Sequence, residues 1–164
     1  MSLIPQSLRV RAVAATLALS AAGLVAIAHH EGYTDRAVVP VPGDVPTIGF
    51  GTTMGVRPGD RITPQEALTR LLIAAGQAEK AVARCTTSPI TQTQFDVLVS
   101  LTYNIGADAY CGSTLVRKLN AGDCQGAAAE FDRWVRVRGR VVPGLAARRA
   151  AERKKFQSEC GAWT

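Results

Sequence analysis

Glu31 is the side chain in this sequence best placed to do chemistry. It follows His29 and His30 directly and stands where an apolar run, Ala12 to Ala28, gives way to Gly32 and Tyr33. A carboxyl group there can give or take a proton for a reacting group, as a general acid or base does. If the run before it lies in a bilayer, Glu31 is held at the lipid boundary; if the run leaves the bilayer, the carboxyl can enter an aqueous cleft. The other reactive side chains are the four cysteines, Cys85, Cys111, Cys124 and Cys160. None forms a CxxC and none has a His at zinc-finger spacing, so no metal site is expected. Dispersed cysteines in even number behind an export signal read as two disulfides made in an oxidising compartment. Sequence does not fix the pairing; the expectation is Cys111 with Cys124 as a local staple and Cys85 with Cys160 as a long-range one.

The elements that must position Glu31 begin with the apolar run. Arg9 and Arg11 give its N-terminal flank the charge of a cytoplasmic n-region. A helix of this length spans roughly 26 Å, short of a ~30 Å hydrocarbon core. It is built from Ala, Ser, Thr and Gly as much as from Leu, Val and Ile. The expectation is an uncleaved, weak anchor over residues 1–28, touching the inner membrane transiently through residues 12–28, followed by one folded domain over 29–164. Two alternatives stand beside it. Ala26-Ile27-Ala28 fits a small-x-small cleavage site, whose use would strip the helix on which Glu31 stands, and an alanine-rich run also suits an ordinary buried helix.

With 47% hydrophobic residues the chain can bury one core, divided at most between two lobes. Its formal net charge of +6 suits an anionic partner: nucleic acid, an anionic membrane or an acidic wall polymer. No basic-aromatic nucleic-acid motif is present, which counts against the first. Val38 to Gly59 is rich in Pro, Gly, Val and Thr and reads as short strands and turns. Helices dominate after it. Thr63-Pro64-Gln65-Glu66 is a capping box that opens a long amphipathic helix to about Arg84, and Thr91-Gln92-Thr93-Gln94 opens another that stops at Gly106. Further helices are expected at about 114 to 120, about 124 to 135 behind Asp123, and from about Pro143 to Ser158.

These pieces form a pattern. His30-Glu31-Gly32-Tyr33 is followed by Pro46-Thr47-Ile48-Gly49-Phe50-Gly51-Thr52, then by Gln94 to Ser100, Tyr103-Asn104-Ile105-Gly106, Ser113-Thr114-Leu115 and Lys118-Leu119-Asn120-Ala121-Gly122-Asp123. Trp134, Val142-Pro143-Gly144-Leu145 and Arg148 to Arg153 complete it. In this order the set resembles the phage-type lysozymes, glycoside hydrolase family 24, over about residues 29 to 157. The N-terminal run resembles the signal-anchor-release arm of exported phage endolysins. The resemblance implies an α+β, mostly helical, lysozyme-like fold: a small β lobe and a helical lobe joined by a long helix, preceded by the signal-anchor helix.

The resemblance also implies roles. Glu31 would be the catalytic acid, in a cleft whose apolar walls favour the protonated carboxyl. Thr47 would hold the attacking water, and Gly51, Tyr103, Asn104 and Thr114 would contact the sugar. The second carboxylate departs from the pattern. Counted forward from Glu31 it falls on Pro40, and counted back from Thr47 on Val41, neither of which is a base. Asp44 in a shifted loop is the expected substitute, with Asp35 and no second carboxylate as alternatives. The implied activity is hydrolysis of the β-1,4 bond between N-acetylmuramic acid and N-acetylglucosamine in peptidoglycan, without metal or organic cofactor. The enzyme would be a monomer that is exported, tethered to the inner membrane and released to the host periplasm. A lytic transglycosylase with a single catalytic Glu, or an inactive wall-binding protein, are the alternatives.

Overall fold

The computed structural model describes residues 10–39 and 43–161. Arg9, Pro40 and Val41 lie outside the described residues.

Both capping boxes form. The Thr63 hydroxyl accepts from Glu66 N and the Glu66 carboxylate accepts from Thr63 N at 2.9 Å, which starts α2 (Pro64–Cys85). Thr91 and Gln94 cap α3 (Gln92–Ile105) in the same way. The buried face of α2 is Ala67, Leu71, Ala75, Ala78 and Val82, a helical stripe whose alanines let α3 approach closely. α3 is the centre of the helical lobe, with Phe95, Leu98, Val99 and Leu101 fully buried. It ends at Gly106, whose φ of +90° suits only glycine.

The chain then enters α4 (Ala107–Cys111), which the sequence pattern did not reveal, α5 (Thr114–Asn120) and α6 (Cys124–Ala129). The single helix expected to about 135 is broken: after Ala129 it tightens into a 3-10 turn, Glu130–Arg133, where the Glu130 carboxylate is drawn in by Lys118 at 2.6 Å and Arg133 at 2.8 Å. A hairpin follows, with strands at Arg136–Val137 and Arg140–Val141 joined by Arg138 and Gly139, both at positive φ. Such a pair of left-handed residues matches the twist of a two-residue hairpin loop. The last helix, Pro143–Gln157, lies against α3 and is α7 here.

The small lobe is the antiparallel pair β1 (Thr34–Val38) and β2 (Thr47–Gly49), in register at Thr34 with Gly49 and Val38 with Thr47, with an irregularity between. Its own core is Ile48, Ile62 and Ala67, and α2 contributes the last of these. The lysozyme-like arrangement of two lobes joined by a long helix is therefore present.

Two further expectations are corrected. The disulfides are Cys85–Cys111 and Cys124–Cys160, not Cys111–Cys124 and Cys85–Cys160. The reason is α5: a helix of about 10 Å stands between Cys111 and Cys124, beyond the reach of a disulfide. Cys111 instead meets Cys85 where α4 packs on α2, and Cys124 at the start of α6 meets Cys160 beyond α7. Loops of these lengths correspond to about 3 to 4 kcal/mol of stabilisation each.

The second correction concerns the N-terminal run, which is not one continuous helix. Ala12 exchanges two backbone hydrogen bonds with Ile90, both 2.9 Å; Ala14–Thr16 make a 3-10 turn; the chain is extended to Ser20; and α1 spans Ala21–Glu31. Ala14 and Ile27 are fully buried in the main core. Among the described residues no helix is long and apolar enough to cross a membrane.

Candidate active site

Glu31 is the last residue of α1, which stops at Gly32 with φ +67°. Its Oε1 accepts a hydrogen bond from Arg148 Nη1 at 2.8 Å. Arg148 is itself buried in α7, donating through Nη2 to the Ser100 carbonyl at 3.2 Å and through Nε to Glu152 at 3.2 Å. Glu152 also accepts from the Ser100 hydroxyl at 2.8 Å and from Arg149, which has no exposed surface. Burial lowers the pKa of Arg149, and the Glu152 charge opposes that shift. Two cations and two anions thus balance beneath the end of α1. Removing one member of such a buried set typically costs about 3 to 5 kcal/mol, because its partner is left charged and unpaired.

The other oxygen, Oε2, faces the small lobe. Ile48 and Thr52 exchange backbone hydrogen bonds at 2.9 and 3.0 Å, closing a tight turn in which Gly49 and Gly51 have φ of +64° and +76°. A Cβ on Gly51 would sit 2.9 Å from Oε2. Glycine is required there both by its conformation and by the carboxylate. The Tyr103 hydroxyl donates to the Phe50 carbonyl at 3.0 Å, tying the end of α3 to the same turn. Burial first, and the charge of Glu31 second, push the Tyr103 phenol up to about 12, so it remains a donor at neutral pH. A cleft of about 470 Å³ opens beside this junction, lined by Gly51 and Met54, by Ile73 and Gln77 of α2, and by Tyr103 and Gly106.

Glu31, Gly51 and Tyr103 are therefore gathered in one place. Asn104 joins them indirectly: it is exposed, and its Oδ1 accepts from Arg149 at 3.2 Å, at the far end of the arginine network. Thr114 stands at the start of α5, where its hydroxyl accepts from Arg117 at 3.3 Å; it is not among the residues lining the cleft. The Thr47 hydroxyl donates to the Val38 carbonyl at 3.3 Å across the β pair. Asp44 is exposed, and its Oδ1 accepts from Arg138 at 3.1 Å, an ion pair between the small-lobe loop and the hairpin of the helical lobe. Asp35 is paired on the small-lobe surface with Arg61 at 3.2 Å and Arg36 at 3.9 Å. Neither aspartate is hydrogen-bonded to Glu31. Among the described residues no group of His, Cys, Asp and Glu gathers as a metal site would.

Sequence reasoning missed Arg148 as the partner of the acid and Glu152 as the partner of Arg148. Their only signal was spacing: Arg148 and Glu152 stand one helical turn apart on α7. In a helix rich in Lys and Arg they read as part of a basic surface. An apolar wall was expected around Glu31; the structure places a guanidinium there.

The comparisons with known proteins agree with this geometry. The endolysin of Acyrthosiphon pisum secondary endosymbiont phage 1 is 39% identical over 144 residues, spanning 85% of this chain and 98% of its own. The solved structure of the endolysin from Escherichia coli O157:H7 phage FAHEc1 matches with a TM-score of 0.77 at 36% identity, over 86% of this chain and 94% of that one. The SAR-endolysin of Enterobacteria phage P21 is 43% identical over a shorter stretch of 65 residues, 40% of this chain and 39% of its own. The family profile described as phage lysozyme matches residues 28–152. With the two-lobed fold and a carboxylate at the end of α1 against Gly51, these matches establish that the chain belongs to the phage lysozyme family.

Proposed function

We propose that this chain is an endolysin whose acid is Glu31 and which reaches the bacterial wall after release from the inner membrane. As a phage lysozyme it is a muramidase acting on the glycan strands of peptidoglycan. The observation that carries the residue assignment is the division of labour within one carboxyl group. Oε1 is fixed by Arg148, which can only donate, while Oε2 faces Gly51, itself one of the residues that line the cleft. A proton on Oε2 is therefore the one available to the glycosidic oxygen as the bond breaks. Tyr103 and Gly51 border the space the sugar would enter. Thr47 and Asp44 supply the water side in this reading: the substrate draws Asp44 from Arg138, and its carboxylate then orients the attacking water.

A second reading draws on the same contact. With Asp44 held by Arg138, Glu31 works alone, and a hydroxyl of the muramic acid itself can attack, as in a lytic transglycosylase. Digestion of purified peptidoglycan followed by mass analysis of the sugar ends separates the two. Reducing ends are expected; 1,6-anhydro ends would overturn hydrolysis in favour of the second reading.

The tether reading rests on the weakly apolar, Ala- and Gly-rich run and on the SAR-endolysin relatives over part of the chain. Fractionation of expressing cells tests it. The full-length chain should be in the membrane before lysis and soluble afterwards, whereas mature protein lacking residues 1–28 would refute it.

A further inference from the structure

The break in the N-terminal run is held by side chains of the helical lobe. In a continuous helix the amides and carbonyls of Ala18 to Ser20 would be paired within the helix itself. Here Leu19 N donates to Glu79 of α2 at 3.3 Å, Ser20 N donates to Asp96 of α3 at 3.0 Å, and the Ala18 carbonyl accepts from Gln92 at 2.8 Å. Gln92 also donates to the Asp96 carboxylate at 2.8 Å, and the Ser20 hydroxyl donates to it at 2.5 Å. Ser20 in turn accepts from Gly23 N at 3.0 Å, which makes it the N-cap of α1. One carboxylate therefore receives both the backbone and the side chain of the residue from which α1 starts.

The packing beside it is equally specific. A Cβ on Gly23 would lie 2.8 Å from Asp96 Cγ, so α1 meets α3 with no space between them. A helix fixed at its first residue and along one side has neither axial nor rotational freedom, and Glu31 is its last residue. A one-residue slip would turn Glu31 by about 100° and carry it off both Arg148 and Gly51. Irregular backbone of this kind cannot face hydrocarbon, where every amide must be satisfied within the helix. It forms only when these lobe residues are there to receive it.

We propose that Asp96, assisted by Gln92 and Glu79, is the receptor for the Ala18–Ser20 break and a positioning residue for Glu31, acting through α1. The proposal rests on Glu31 being the acid. It assigns to one face of the helical lobe a binding partner from the same chain.

The test is Asp96→Ala in the full-length chain, with kcat and KM measured separately on purified peptidoglycan and hydrogen exchange followed along the chain. Misplacing an acid by about an ångström can cost on the order of 100-fold in rate, so kcat should fall by about that factor while KM is unchanged. Exchange protection should be lost over residues 10–31 and retained in α3 and α7. Ser20→Ala should give the same pattern more weakly. Asp96→Asn keeps an acceptor for Ser20 N and should restore most of kcat. Unchanged kcat despite loss of protection over 10–31 would overturn the positioning role. Loss of protection throughout the lobe, in both Asp96→Ala and Ser20→Ala, would overturn it in favour of a purely structural one. Full activity in Glu31→Gln would instead defeat the reading of the acid, and the exchange data would still report the dock.

Discussion

Glu31 and Asp44 stand in opposite surroundings. Glu31 ends a helix packed into the main core, and its partner Arg148 is buried and held in turn by Ser100 and Glu152. Asp44 lies on an exposed turn of the small lobe, and its partner Arg138 is an exposed hairpin residue. Exposed pairs of the second kind contribute about 0 to 1 kcal/mol and exchange readily with water or a charged ligand. The first carboxylate is thus fixed before substrate arrives, whereas the second can be moved by it. On the roles proposed for them, the acid gains from that fixity, because its geometry sets the rate, and the group that orients water can be recruited on binding.

The largest expected effect tests the fixed side. Glu31→Gln keeps the shape and the acceptor for Arg148 but has no proton to transfer, so wall lysis should be abolished while the thermal unfolding transition remains. Near-normal lysis in a turbidity assay would break the contrast at its root. On the movable side, Asp44→Asn should lower kcat by roughly 10²- to 10⁴-fold, the usual range for a general base. If Asp44→Asn is silent and Asp35→Asn is not, the second carboxylate is on β1; if both are silent, Glu31 acts alone.

The smallest effect concerns pH. Burial first, and the charge of Arg148 second, hold the His30 imidazole below its ordinary value of 6.5. The unfolded chain therefore binds more protons than the folded one between the lowered value and 6.5. Stability should be full above about pH 6.5 and decline as pH falls through the lowered value. Denaturant midpoints for wild type and His30→Gln should converge above pH 7 and separate in mild acid, with the wild type losing more. Parallel curves would mean that neither burial nor the charge of Arg148 acts on His30.

Much of the fold was legible because its signals are local. Thr63 with Glu66 and Thr91 with Gln94 mark helix starts within four residues, and Gly106 marks a stop. What was illegible depends on distant parts of the chain. The break at Ser20 needs Asp96, a partner 76 residues away, and hydropathy alone does not register it. The cysteine pairing depends on where α5 places its neighbours in space. Glu31 was visible from its motif, but Arg148, 117 residues later, was hidden in a run of cations. Gly51 could be marked as a turn residue, yet its tightest constraint is the carboxylate opposite it.

The two disulfides have a mechanical consequence. Both lie between residues 85 and 160, so no covalent cross-link reaches α1, the small lobe or the Ala12 bridge. A pull on the N-terminus would load the Ala12–Ile90 bonds first, then those at Ala18 to Ser20, one after another as in peeling tape. The residues that resist it, Ile90, Gln92 and Asp96, lie inside the loop that Cys85–Cys111 closes, so the holding side is the cross-linked one. The chain is built to yield at one end and hold at the other.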